Sequence, residues 1–268
     1  MAHFLRDEHI RNITINEQDL VNLASLFFER LNLYNSSVAD EDADDQKALL
    51  FFIIRFDDKG YRVYTIDDLL RYYRIAKSVE RIIITIEAFE SLRTQRAIGT
   101  VLEVRLDEKD PNTSYLTATS DNRDWVDASF SSIQEGLAKF QNKNRWAYSA
   151  WTALGVQISG VTLGFLLSLW AASKIAPKLT VENAYILTFL FMLLIFSNTW
   201  TYLNHFCLRL IHISFPNIKF IRSDKENLHW LMQAVVGGVI GAIVLYLLGQ
   251  ASSFLLEIMS GIVNKNAP

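Results

Sequence analysis

Asp40, Asp42 and Asp44 stand two apart, the spacing at which an EF-hand-type calcium loop places its first carboxylates. The loop fails at two later places. Its sixth position is Asp45, where glycine makes the turn, and its twelfth is Phe51, where a bidentate Glu belongs. The run from Asp40 to Asp45 therefore reads as a solvated loop. The five histidines are His3, His9, His205, His212 and His229. None is expected inside a sheet domain, so a Ser-His-Asp triad or a Cys-His pair lacks its base there. Cys207 is the only cysteine, and no H-E-x-x-H is present. No P-loop occurs either, because Gly237, Gly238 and Gly241 fall in an apolar stretch away from any phosphate in water. Carboxylates are abundant but no motif pairs them. Arg71, Arg74, Lys77 and Arg81 could meet a phosphate, although such a group is more often a solvated helix face. No catalytic residue, cofactor or metal is expected, and direct nucleic-acid binding is disfavoured because these residues sit in a net acidic region.

What the chain spends its residues on instead is hydrocarbon. Half of its 268 residues are apolar, and the mean hydropathy is +0.15. Residues 1–145 hold 19 Lys+Arg against 25 Asp+Glu, whereas residues 146–268 hold 7 against 4. That asymmetry predicts a domain at 1–145 followed by a membrane domain at 146–268. Three stretches free of Asp, Glu, Lys and Arg predict transmembrane helices at about 147–173, 184–208 and 229–256. Each exceeds the roughly 20 residues a bilayer core requires. Trp146, Trp151, Trp170, Tyr185, Trp200, Tyr202 and Trp230 stand near their ends, where amphipathic rings favour the interface. Lys139, Lys143, Arg145, Arg209, Lys219, Arg222 and Lys225 outnumber Lys174, Lys178 and Lys265 on the other side. The positive-inside rule then predicts a bacterial inner-membrane protein with a cytoplasmic N-domain and its C-terminus outside. Met1 to Glu8 has no apolar signal region, so the first span is expected to direct insertion.

Within the spans two kinds of residue are candidates for function. Gly160, Gly164, Ser168 and Ala172 recur every four residues. So do Gly237 and Gly241, beside Ala234, Gly238 and Ala242. Small residues at this spacing let helices approach closely, either within one chain or between copies in a homo-oligomer. Asn198, Thr201 and His205 form one polar stripe with Asn204 beside it. In lipid such a stripe faces protein or lines water. Gln157, Gln233 and Gln250 could serve either role. No charge lies deep in a span, which argues against a coupled ion transporter.

The first 145 residues read as an α+β domain: a mainly antiparallel sheet of about five strands with three helices. Thr14-Ile15-Asn16-Glu17 suggests a capping box before Leu20, Leu23, Phe27 and Leu31. Ala48–Phe56 and Tyr61–Thr65 form a hairpin around Asp57-Asp58-Lys59-Gly60, with the glycine available for positive φ. Thr65 and Asp68 cap a second helix. Ile82–Ile86, Thr100–Leu106 and Tyr115–Thr119 complete the strands. Val126, Phe130, Ile133, Leu137 and Phe140 mark the last helix of the domain. No Pro or Gly follows Gly136 before Trp146. The chain there predicts either one continuous helix into the first span or a hinge at 141–144.

The layout, with the Asp124-Trp125-Val126 helix leading to Trp146, resembles membrane effectors of bacterial anti-phage defence. In those proteins a small cytosolic sensing domain sits on a few spans. The resemblance implies a cytosolic protein or small-ligand trigger, a lipid-embedded homo-oligomer and disruption of the membrane. The residues themselves leave open a scaffold that only anchors a partner, and a membrane-bound enzyme.

Overall fold

The computed structural model describes residues 3–38 and 47–221, with a few single positions between 234 and 246. The acidic run 40–45 and most of the third predicted span lie outside the described residues. Two compact units emerge, one from residues 1–145 with 216–226, the other from 146–215 with 227–268.

The first unit is built on a six-stranded sheet. Its strands are β1 (Phe4–His9), β3 (Ala48–Phe56), β4 (Lys59–Val63), β5 (Val79–Ala88), β6 (Val101–Asp107) and β7 (Tyr115–Ser120). They lie in the order β1-β7-β6-β5-β3-β4, antiparallel at every pairing. A separate pair joins β2 (Ile13–Ile15) to β8 (Ile218–Phe220) in parallel. Three helices, α1 (Glu17–Ser37), α2 (Ile66–Ile75) and α4 (Arg123–Ala138), cover one face, and the short α3 (Phe89–Arg93) follows β5.

The two faces follow from the period of two along each strand. Leu50, Phe52, Ile54, Ile82, Ile84, Ile86, Leu102, Val104, Leu106, Leu116 and Ala118 fall on one side and are buried. Leu20, Leu23 and Phe27 of α1, Leu69 and Tyr73 of α2, and Phe130 and Ile133 of α4 complete that core. The other face carries Thr85, Glu87, Glu103, Arg105 and Asp107.

Several expectations are corrected here. The sheet has six strands because Phe4–His9 pairs with β7, despite the charges of Arg6, Asp7 and Glu8. That pairing also brings His9 into the sheet domain, at its exposed edge. The α1 capping box lies two residues later than predicted. Asn16 Oδ1 accepts the Asp19 N–H, and an Asp19 carboxylate oxygen accepts the Asn16 N–H. In the hairpin, positive φ falls on Asp57 and Asp58 (49° and 62°), while Gly60 pairs with Arg55 inside β4.

The continuous helix from the sheet domain into the first apolar helix is overturned. The last helix of the sheet domain, α4, ends at Ala138, Gln141 bridges to Ile13, and a 3-10 turn spans Lys143–Tyr148. Ser149 then caps a new helix through the Thr152 N–H. Backbone groups at 140 and 142 are taken by β2 and the residue before it: Thr14 N–H donates to Phe140 O, and Asn142 N–H to Asn12 O.

The second unit contains α5 (Ala150–Ile175) and α6 (Ala184–Ser214). Both are long and apolar enough to cross a membrane, and only 11% and 6% of their most apolar stretches are buried. A core helix of a soluble protein would be mostly buried, so these faces suit lipid. The second helix runs six residues beyond the predicted 208.

Candidate functional site

Three constellations in the described residues can carry function. The first is the polar face of the sheet. Glu103 is buried, and it accepts hydrogen bonds from the Tyr115 hydroxyl at 2.6 Å and the Thr85 hydroxyl at 3.1 Å. Arg96 reaches over from the segment after α3. Its Nε donates to Glu87 at 3.0 Å, and Nη1 lies 2.8 Å from Glu103. Burial works against the charge of Arg96, but the two carboxylates hold the guanidinium above its ordinary range. Gln95 and Arg96 adopt left-handed φ (54° and 67°), a conformation that aims Arg96 inward. Burial and the Glu103 carboxylate push the Tyr115 phenol up.

A second cluster lies at the other end of the same face. Asp107 is buried and takes the Arg81 Nε at 2.6 Å, the Asp110 N–H at 3.0 Å and the Thr113 hydroxyl at 3.3 Å. Burial raises its pKa, but the Asp110 amide, Arg81 and Arg105 outweigh it and hold it below the aspartate range. A bulge between Arg55 and Phe56 turns Glu80 toward the hairpin. There it accepts from Lys109 at 2.7 Å, Arg55 at 3.0 Å and the Asp58 N–H at 3.2 Å. Lys109 is the main cause that holds Glu80 low. Glu80, Glu87, Glu103 and Asp107 are thus each matched to a cation. The arrangement grips charge rather than leaving a base poised to accept a proton.

The second constellation is the place where the chain leaves the sheet domain and re-enters it. Residues 216–221, which follow α6, return to pair with β2. Ile13 N–H donates to Asn217 O at 2.9 Å, and Ile221 N–H to Ile15 O at 2.8 Å. Asn12 N–H donates to the Asn217 side-chain oxygen at 2.5 Å. Asn142 Nδ2 donates to Thr14 Oγ1 at 3.0 Å and to Asn217 O at 3.3 Å, and Asn144 Nδ2 donates to Pro216 O at 2.9 Å. The Tyr73 hydroxyl, buried under α2, reaches Ile15 O at 3.2 Å and Ile221 O at 2.9 Å. Asn12, with φ 60°, turns the chain into this clasp. The apolar pattern predicts spans ending at 208 and starting at 229 and marks no element between them. The only signal was a short Ile218-Lys219-Phe220 run after Pro216-Asn217, too brief to stand out as a strand.

The third constellation comprises the predicted span residues. Gly160, Ser168 and Ala172 are buried, and Gly164 lies beside Phe196 of α6. A Cβ on Gly160 would overlap the Trp200 indole. The small-residue row of α5 is therefore spent on α6 of the same chain. Ala234, Gly237 and Gly238 are exposed, and no described atom lies near a Cβ placed on either glycine. Gly241 and Ala242 lie outside the described residues. Asn198, Thr201 and His205 are exposed, and the Thr201 hydroxyl turns back to Ser197 O. Asn204 points inward instead. Its Oδ1, the Trp200 Nε1 and the Thr188 Oγ1 are buried without a partner among the described residues. The stripe of Asn198, Thr201 and His205 is thus exposed along α6, and Asn204 beside it turns away. The Arg71, Arg74, Lys77 and Arg81 group is also divided, since Arg74 pairs with Glu17 and Arg81 with Asp107.

The chain matches no protein-family model, no curated protein and no solved structure.

Proposed function

We propose that the chain is a non-enzymatic membrane effector or signalling subunit whose sheet domain controls its apolar helices. The observation that carries this reading is the clasp. The exit at 142–144 and the return at 216–221 are both held by β2, the strand before α1, and its neighbours. A chain that departs and comes back on the same two-stranded sheet has to cross a bilayer an even number of times. That supports α5 and α6 as a transmembrane hairpin with the sheet domain on the side favoured by Lys and Arg, the cytoplasm of a bacterial cell. Both ends of the hairpin feel any shift of β2, so a cytosolic protein or small ligand that binds the sheet domain would act on two helix ends at once.

In this reading the membrane domain, including the predicted third span, assembles into a homo-oligomer that disturbs the bilayer during anti-phage defence. Since Gly160 and Gly164 face α6, copies would meet through other faces, and Asn198, Thr201 and His205 are exposed for that purpose. The mass of the particle purified in detergent is the deciding measurement. Several copies per particle, together with loss of membrane potential on expression in bacteria, are expected. A monomer ends the pore reading. An oligomer that leaves the membrane potential intact with its trigger present makes the protein a scaffold for a cytosolic partner.

A further inference from the structure

The back of α6 carries a stripe that the rest of the described chain does not use. Leu187, Phe191, Leu194, Asn198, Thr201 and His205 recur at four, three, four, three and four, and all six are exposed. Phe196 and Trp200, which meet α5, lie about half a turn away from Asn198. The stripe therefore runs along the side of α6 opposite its partner. From Leu187 to His205 it covers about 27 Å, nearly the whole of a bilayer core about 30 Å thick. A period of about 3.5 residues keeps a seam turned toward a neighbouring helix along its full length, whereas a face turned to lipid needs no period. The last three positions are polar, and among the described residues neither Asn198 nor His205 has a hydrogen-bonding partner. Left in hydrocarbon, such groups cost free energy.

We propose that this stripe is the seam on which copies of the chain associate, α6 against α6, parallel and related by rotation about the membrane normal. The inference rests on the reading that α5 and α6 cross the bilayer and that copies assemble there, and it names the surface they use. Rotation of that kind brings each seam residue to its own counterpart. Such a seam satisfies itself only if each polar member both donates and accepts, and a carboxamide, a hydroxyl and a neutral imidazole all do. The Thr201 hydroxyl donates to Ser197 O at 3.4 Å and keeps its lone pairs for a neighbour. The third apolar stretch of the same chain is a poorer match. Gln233 stands seven residues inside Glu226, whereas Asn198 stands eleven inside Arg209. With both charges at the membrane surface, Gln233 falls short of Asn198 by about 6 Å, and no polar side chain follows it before Tyr246. A second copy presents the same three groups at the same three depths.

Disulfide cross-linking of the full chain in membranes tests the seam. In a Cys207→Ser background, Leu194→Cys, at the most exposed of the three apolar seam positions (70%), should link copies into dimers under copper phenanthroline. Ile195→Cys lies at nearly the same depth but about 100° round the helix; that position is also exposed, yet it should not link. Asn198→Leu should leave the melt of each subunit unchanged and weaken association in detergent by about three- to thirtyfold. Equal linking at both cysteines, or undiminished association of Asn198→Leu, overturns the seam and leaves assembly standing. So do particles of several copies without linking at Leu194→Cys, the result that follows if residues 229–256 of the same chain cover the stripe. A particle of one copy that links at neither position ends the seam and the assembly reading together. Linking at Leu194→Cys alone, in a protein that never alters membrane potential, supports the seam and sinks the effector reading.

Discussion

Arg96 illustrates how one side chain organises a sheet face. It spans Glu87 and Glu103, whose side chains are 4% and 6% exposed, while its own is 44% exposed. Removing it strands two carboxylates in a buried position, and water can reach them only through the gap it leaves. Arg96→Ala should therefore destabilise the sheet domain by roughly 2–3 kcal/mol. Arg96→Lys should recover only part, because one ammonium cannot fork between two carboxylates as a planar guanidinium does. A urea titration of the full chain in detergent, followed by exchange protection of β5, reads both. Equal stability of Arg96→Ala and wild type would show that Tyr115, Thr85 and Ser91 suffice to hold the carboxylates. Of this face the sequence shows only the alternation that sets Glu103 and Arg105 opposite Leu102, Val104 and Leu106. Glu87, Thr85 and Glu103 come together only through strand register, and Arg96 arrives from a left-handed turn that no residue pattern marks.

Elements were more readable where a local pattern sets them. The Thr65–Asp68 cap stands as expected, with Thr65 Oγ1 accepting the Asp68 N–H at 3.2 Å. The buried runs of β3 and β5 and the α4 seam at Val126, Phe130, Ile133 and Leu137 also follow their apolar spacing. The hairpin shows where such reading stops. Glycine is the residue that best tolerates positive φ, so Gly60 attracts the turn on paper. Register instead leaves Asp57 and Asp58 between Phe56 and Lys59, the two-residue turn whose twist suits its strands. Asp57 also takes the Lys77 and Ser78 N–H groups on its carboxylate, which fixes the path after α2. The two positions should respond oppositely. Asp58→Gly relieves a left-handed φ and gives up only an exposed contact to Lys109, so it should stabilise by up to about 1 kcal/mol. Asp57→Gly relieves a similar φ but gives up the exposed bonds to the Lys77 and Ser78 amides that fix the chain's path, and should destabilise by up to about 1 kcal/mol. Thermal melts of the two variants beside wild type give the signs, and the same sign for both would refute the assignment of roles. Strands β1 and β8 escaped the sequence for a related reason. Their pairing is nonlocal, and short or charged segments become strands only when a partner edge is offered.

At the level of the whole chain, the charge asymmetry about residue 145 predicts a boundary there and places every later residue in the membrane part. Residues 216–221 belong with the sheet instead, because Ile218 finds its burial there and Asn217 finds its hydrogen bonds. The small-residue row shows a similar limit. Spacing reveals that a helix is approached closely, not by which partner. Here the partner is Trp200, whose ring occupies the space a side chain on Gly160 would fill. Gly160→Leu should therefore separate α5 from α6 and lower the melting temperature of the detergent particle. Trp200→Ala alone opens a gap and should be milder, and the double variant should regain part of the loss, with a coupling of about 1–3 kcal/mol. Without hydrophobic drive between helices in lipid, packing of this kind carries most of the attraction, so the coupling is expected to be measurable. If the row instead joined copies, Trp200→Ala would bring no rescue, and Gly160→Leu would lower the particle mass while each subunit kept its melt. Melt and mass on the same four proteins thus separate packing within a chain from assembly between chains.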